Sequence, residues 1–200
     1  MIDSILKGLL ATTPLEAVSV VFGLLYSILA VKRVRWCWVF GGLGSGLLVY
    51  LTWVAKLPMQ AALQGYYVAM AVYGFWRWSR HQGEAVHVVS TLPLKAHLAA
   101  WAVILALSAG SSHILTGQTQ AAWPFLDSLT TWGSLFATWL TAQVKLENWV
   151  YWIVFDAISV YLFVAQGLMF VALLFTVYLG VATVGFFSWH KTWRAHAQPA

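Results

Sequence analysis

Long apolar runs alternate along the chain with short breaks rich in Lys, Arg, Gly, Pro, Asn and Gln, and there are seven such runs. They cover residues 14–31, 36–54, 58–78, 94–114, 123–142, 149–165 and 168–189. Each is close to the roughly 20 residues of helix that a bilayer's hydrocarbon core requires. The pattern therefore predicts an all-α membrane protein, a single membrane domain over 1–200 with seven transmembrane helices. The first helix has a marked start: in "TPLE" (13–16) Thr13 is the N-cap, Pro14 takes the first helical position and Glu16 closes a capping box.

The runs repeat internally. "VYLTWVAKLPM" (49–59) resembles "VYLFVAQGLM" (160–169) with one residue dropped, and "YGFWRW" (73–78) resembles "VGFFSW" (184–189). Pro14 and Gly23 match Pro124 and Gly133. Residues 14–78 thus read as one three-helix repeat and 123–189 as a second, with 94–114 as a connecting helix. A unit of three spans would invert on repetition, so the single intervening span makes the two units parallel. Parallel repeats about an axis along the membrane normal are a transporter architecture, with the substrate site between repeats near the midplane.

Composition agrees with a bilayer as solvent: 61% of residues are hydrophobic and 8% charged, against about 25% charged in soluble domains. The basic pI of about 9.5 does not point to nucleic acid, because the cations cluster in short loops. Lys32, Arg33, Arg35, Arg77, Arg80, Lys95, Lys145, Lys191 and Arg194 fall on one side of the predicted topology, and only Lys7 and Lys56 on the other. The positive-inside rule then sets the N-terminus outside and the C-terminus in the cytoplasm. Residues 1–13 show no cleavable signal peptide, so the first membrane helix is expected to direct insertion. The single Cys37 excludes an internal disulfide framework.

The candidate chemistry centres on the sixth run. Asp156 lies in the middle of "ENWVYWIVFDAISVYLFVAQG" (147–167), where a carboxylate costs about 2.5–3.5 kcal/mol on insertion scales. Helical spacing puts Asn148, Trp152, Asp156 and Ser159 on one stripe, continued by Phe163 and Gln166. Three readings of Asp156 stand side by side: a protonated, hydrogen-bonded structural acid, a proton relay, and a counter-charge for an organic cation. Trp152, one turn away, favours the cation, because an indole face attracts positive charge and stacks on a flat ring. The third run adds Gln64 and Tyr67, with Gln60 open between ligand contact and helix–helix bonding. "GGLGSG" (41–46) lacks the strand context of a nucleotide-binding loop and reads as close helix packing that leaves room for a substrate. Asp127 suits a helix N-terminus. The six histidines show no metal-ligand spacing, so no metal is assigned; His81, His87, His97, His190 and His196 are expected solvated near the inner face and His113 near the outer one.

"YGFWRWSR" closing the third run, "WPFLDS" opening the fifth and the 147–167 stretch together resemble the Pnu family of bacterial vitamin transporters, of the PnuC nicotinamide riboside type. The resemblance covers about 14–189. It implies a SWEET-like 3+1+3 fold and facilitated uptake across the bacterial inner membrane. It also implies trapping of the vitamin by a cytoplasmic kinase in support of NAD biosynthesis, a core site of aromatics and amides, and a homo-trimer. Matched by motif, it assigns Trp152, Asn148 and Gln64 to substrate binding. With the residue reading, the expected site is Trp152, Asp156, Asn148, Gln64, Tyr67 and Ser159, with no cofactor and no catalytic residue. The chain departs from the family pattern in carrying Asp156 where an Asn is usual, and Gly44 where another Asn is expected. Nicotinamide riboside and thiamine both carry a ring cation, so an acid suits either, and thiamine stands as the alternative substrate. A retinal protein would need a Lys in the last run, which has none over 168–189. An enzyme would need clustered catalytic groups at the depth of Asp156.

Overall fold

A computed structural model describes residues 2–56, 58–80, 88–116 and 123–197. Among the described residues there are eight helices: α1 (Ile2–Ala11), α2 (Pro14–Val31), α3 (Cys37–Val54), α4 (Pro58–Arg80), α5 (Leu94–Thr116), α6 (Pro124–Ala142), α7 (Asn148–Ala165) and α8 (Met169–Ala197). Each of the seven predicted runs coincides with one of α2–α8. A further helix, α1, lies outside the predicted runs. Its ten residues extend only about 15 Å at 1.5 Å per residue, half a bilayer core. Five helices (α2, α3, α5, α7 and α8) are long and apolar enough to cross a membrane. The runs of α4 and α6 are diluted by Gln60, Gln64, Arg77 and Arg80 in one and by Asp127 and several hydroxyls in the other. Much of that polarity faces inward.

The predicted capping box is formed. Thr13 N donates to Glu16 Oε2 at 2.7 Å, and Glu16 N donates to Thr13 Oγ1 at 3.3 Å, satisfying two amides that the helix start leaves without partners. Packing follows the chain, α2 on α3 and α3 on α4, then α6 on α7 and α7 on α8. Contacts of α2 with α8 and of α4 with α6 close these six helices into a ring; α5 lies against α6, and α1 against α8.

One end of the ring is sealed by tryptophan. Trp38, Trp78, Trp149 and Trp189 are all buried. Their rings make a chain of contacts, Trp38–Trp78 at 5.6 Å, Trp78–Trp189 at 6.4 Å and Trp149–Trp189 at 5.4 Å, the first and last edge-on, a favoured aromatic geometry. Trp78 Nε1 donates to Ala142 O and Trp189 Nε1 to Val31 O, each at 3.1 Å. Trp38 packs on the backbone at Gly74 and Trp149 on that at Gly185, close enough that a Cβ at either glycine would collide with the indole. The turns between helices pair in the same way. Arg33 and Val144 both adopt a left-handed backbone (φ 56° and 55°), as do Lys56 and Gly167 (φ 57° and 74°). All these partners stand 111 positions apart in the sequence, the larger of the two offsets found in the apolar runs.

At the same end the segment before α5 is stapled to the α6–α7 turn. Ser90 N donates to Val144 O, Leu146 N to Ser90 O, Lys145 Nζ to Ser90 Oγ and Leu92 N to Glu147 Oε1. His97, expected solvated, instead has its ring stacked on Tyr151 and Nε2 3.4 Å from Glu147 Oε1. The α5–α7 contact that half-buries it leaves no periodic signal. His81 and His87 lie outside the described residues.

Gly167 and Gly180 both face open space at the Cβ position, but only Gly167 has positive φ. Gly167→Ala is expected to destabilise by about 1 kcal/mol through backbone strain, and Gly180→Ala, inside α8, to stabilise by a similar amount through helix propensity. Thermal unfolding in detergent checks the opposite signs.

Candidate functional site

The ring encloses a cavity of about 1300 Å³ lined by all six of its helices and by α1. It reaches the end where Lys7, Gln60, Trp123, Asp127 and Gln166 are exposed, and stops at the other end against Trp38 and Trp149. It is therefore a well with one mouth and a tryptophan floor.

Five of the six sequence-predicted residues stand in its wall: Trp152, Asp156 and Ser159 from α7, Gln64 and Tyr67 from α4. The stripe on α7 turns inward because its other faces are apolar. Asp156 is the ninth of eighteen residues in that helix, about 12 Å from either end. It is 5% exposed. Among the described residues none donates a hydrogen bond to its carboxyl group. The phenols of Tyr67 and Tyr178 share the wall with it.

Asn148 is placed differently from the expectation. It is fully buried and absent from the wall. At the first position of α7 its amide turns back on the preceding turn, Nδ2 donating to Lys145 O at 2.6 Å, the local bonding that Asn favours at helix starts. Its Oδ1 accepts from Thr141 Oγ1 at 3.1 Å, and Trp152 Nε1 lies 3.4 Å from the same hydroxyl. Asn148 thus holds Thr141, and Thr141 helps to orient the Trp152 indole.

Several wall residues escaped the sequence reading, Tyr178 chief among them. Tyr178 on α8 stands 111 positions after Tyr67. Its hydroxyl abuts α2, where a Cβ at Gly23 would sit 2.5 Å away; Tyr67 correspondingly reaches Ser134 on α6. The helical stripe on α8 is apolar and hid Tyr178, although the internal repeat points to it. Ser45, likewise 111 positions before Asp156, also lines the wall. Gly41 and Gly44 of the glycine run lie in the wall as expected, and Gly44 admits Phe22 so closely that an added Cβ would meet it at 3.2 Å.

The electrostatics of the wall are one-sided. Besides Asp156, the charged residues lining the cavity among those described are Glu16, Asp127 and Lys7, all at the mouth. Three acidic residues against one basic residue give the described wall an acidic lining. No group of three or more His, Cys, Asp and Glu side chains is placed to hold a metal among the described residues.

A helical bundle with several membrane-crossing helices around a deep, acid-lined well is the architecture of a multi-pass membrane transporter. A family model described as nicotinamide mononucleotide transporter matches residues 13–191, and the chain belongs to that family, the family of PnuC. The nicotinamide riboside transporter PnuC of Escherichia coli (strain K12) is 26% identical over 213 residues, covering 93% of this chain and 89% of its own. The riboflavin/roseoflavin transporter RibM of Streptomyces davaonensis is 24% identical over 188 residues, covering 92% and 88%. A crystal structure of the vitamin B3 transporter PnuC is similar in fold, with a TM-score of 0.72 at 24% identity over 91% of this chain and 83% of that one.

The two amides have separable roles. Asn148→Ala removes the two bonds that a fully buried amide makes, to Lys145 O and to the Thr141 hydroxyl, and is expected to cost about 1–3 kcal/mol of stability. Gln64→Ala, at the cavity surface, is expected to leave the melting temperature unchanged. Parallel thermal melts of the two variants check the contrast.

Proposed function

We propose that this chain takes up nicotinamide riboside by facilitated diffusion, the vitamin being trapped in the cytoplasm by phosphorylation. The observation that carries the reading is the unpartnered Asp156 carboxyl in the cavity wall with the Trp152 ring one turn away. A pyridinium ring meets both needs of that pair, since its charge faces the acid and its flat face stacks on the indole. Gln64, Tyr67 and Ser159 supply hydrogen-bonding groups for the sugar hydroxyls, and Asn148 acts behind the wall through Thr141. A neutral flavin, the cargo named for the Streptomyces relative, leaves the acid without a partner. Thiamine, with a charged thiazolium, satisfies it and is the second reading.

In this reading α2–α8 all cross the inner membrane, with the N-terminus outside. Residues 14–78 and 123–189 form two parallel three-helix repeats joined by the helix at 94–114. The 111-residue correspondences in turns, tryptophan contacts and wall tyrosines support that arrangement. The mouth then faces outward, and the tryptophan floor is the closed inner gate. Transport follows when the repeats rock about Asp156, breaking the paired bonds Trp78–Ala142 and Trp189–Val31 that tie each repeat to the other.

Calorimetry on the detergent-purified protein tests the reading with nicotinamide riboside, thiamine and riboflavin side by side. Selective binding of nicotinamide riboside is expected; selective binding of thiamine supports the second reading, and selective binding of riboflavin overturns both. Asp156→Ala is expected to weaken binding about 10–100-fold, the range for losing a charge-assisted contact, and Trp152→Ala about tenfold or more. Unchanged affinity in both variants would sink the site assignment. Trp78→Phe and Trp189→Phe, each losing one gate bond, are expected to leave affinity within about twofold. Each should change the rate of vesicle uptake in the same direction; opposite or absent effects count against a paired gate.

A further inference from the structure

We propose that the cation is exchanged for a proton: Asp156 carries a proton while the cavity is empty, releases it when the cation binds, and takes one up again after the cation leaves on the far side. This rests on the reading that nicotinamide riboside is the cargo. It adds a counter-ion to what is otherwise simple facilitated diffusion.

The argument is a census of what could stabilise the Asp156 charge. From α4 the titratable group facing it is Tyr67, and from α8 it is Tyr178. From α2 the wall offers Tyr26 deep in the well and Glu16 at the mouth, and from α6 Asp127 at the mouth. The wall residues of α3 are Trp38, Gly41, Gly44, Ser45 and Leu48, none of them titratable, and α7 adds no second ionisable group inside the cavity. The single positive charge in the described wall is Lys7 on α1, at the mouth. Among the described residues Asp156 therefore has no cation at its depth and no side chain hydrogen-bonded to its carboxyl group, and it is almost unexposed. Among the described wall residues no cation stands at that depth to offset the cost of a charge there. A ring cation is the one partner that makes the carboxylate favourable, so occupancy and ionisation go together.

The step balances. The Asp156 O–H bond breaks, its proton passes to water at the mouth, and the carboxylate pairs with a cation that has no proton of its own to give. Loaded, the site is neutral as an ion pair; empty, it is neutral as an acid. Each turnover thus moves one cation inward and one proton outward with no net charge. Uncoupled passage of the same cation would carry a full positive charge and respond to membrane potential, about 2.3 kcal/mol per 100 mV.

The test uses the full-length protein in liposomes holding a pH-sensitive dye, with nicotinamide riboside added outside. Exchange predicts that the lumen turns alkaline as the vitamin enters, that an imposed inside-negative potential leaves the rate unchanged, and that a lumen one pH unit more acidic than the bath accumulates the vitamin about tenfold. Entry that is driven by potential and leaves lumen pH unchanged overturns the exchange and leaves the proposed cargo standing. No entry, together with no calorimetric binding, overturns the cargo and the exchange with it. The wild-type measurement decides alone, and Asp156→Asn identifies the group. Its vesicles should show no lumen alkalinisation on adding the vitamin, and a change of wild-type size there would also overturn the proposal.

Discussion

An acid halfway along an apolar helix has to be given a place away from lipid, and the rest of the architecture answers to that requirement. Asp156 lies about 12 Å from either end of α7, too deep for a short side chain to reach an interface. Facing lipid would cost it several kcal/mol. The ring of six helices provides the alternative, a well whose wall at that depth contains amides, hydroxyls and indole but no cation. The polar stripe on α7 and the Gln64–Tyr67 face of α4 share a single destination, and diluting α4 and α6 with polar groups is the cost of lining it.

The second constraint is closure at one end. Four tryptophans fill the floor, and two of them spend their indole N–H groups on carbonyls at the ends of α6 and α2. Both carbonyls terminate helices, where backbone acceptors lack intrahelical partners. The bonds satisfy orphan groups and tie the two halves of the ring across the seam. Trp38 and Trp149 can enter because Gly74 and Gly185 leave their helix backbones bare. The floor is otherwise an aromatic contact, with these two indole bonds crossing the seam between the halves.

Much of this was legible in the sequence. Apolar runs located α2–α8, "TPLE" fixed the start of α2, and the i, i+4 stripe named five wall residues. The 111-residue spacing also relates the paired turns and makes Tyr178 the counterpart of Tyr67, but neither was read from the sequence. What escaped depended on orientation rather than pattern. Asn148 belongs to the stripe by spacing, but its short amide at a helix start is captured by Lys145 O, a choice periodicity does not encode. The packing of His97 against Tyr151 and Glu147 is a long-range contact with no local signal. Helix α1 has strong amphipathic character but only ten residues, too few to register as a span.

The central claim, that the Asp156–Trp152 pair is a receptor for a ring cation, is tested most directly by an experimental structure of the protein with nicotinamide riboside bound. The account predicts the pyridinium stacked on Trp152, within about 6 Å of the indole centroid, with its positive nitrogen about 4–6 Å from the Asp156 carboxylate. A ligand lodged elsewhere in the well, with Asp156 still unpartnered, would contradict it.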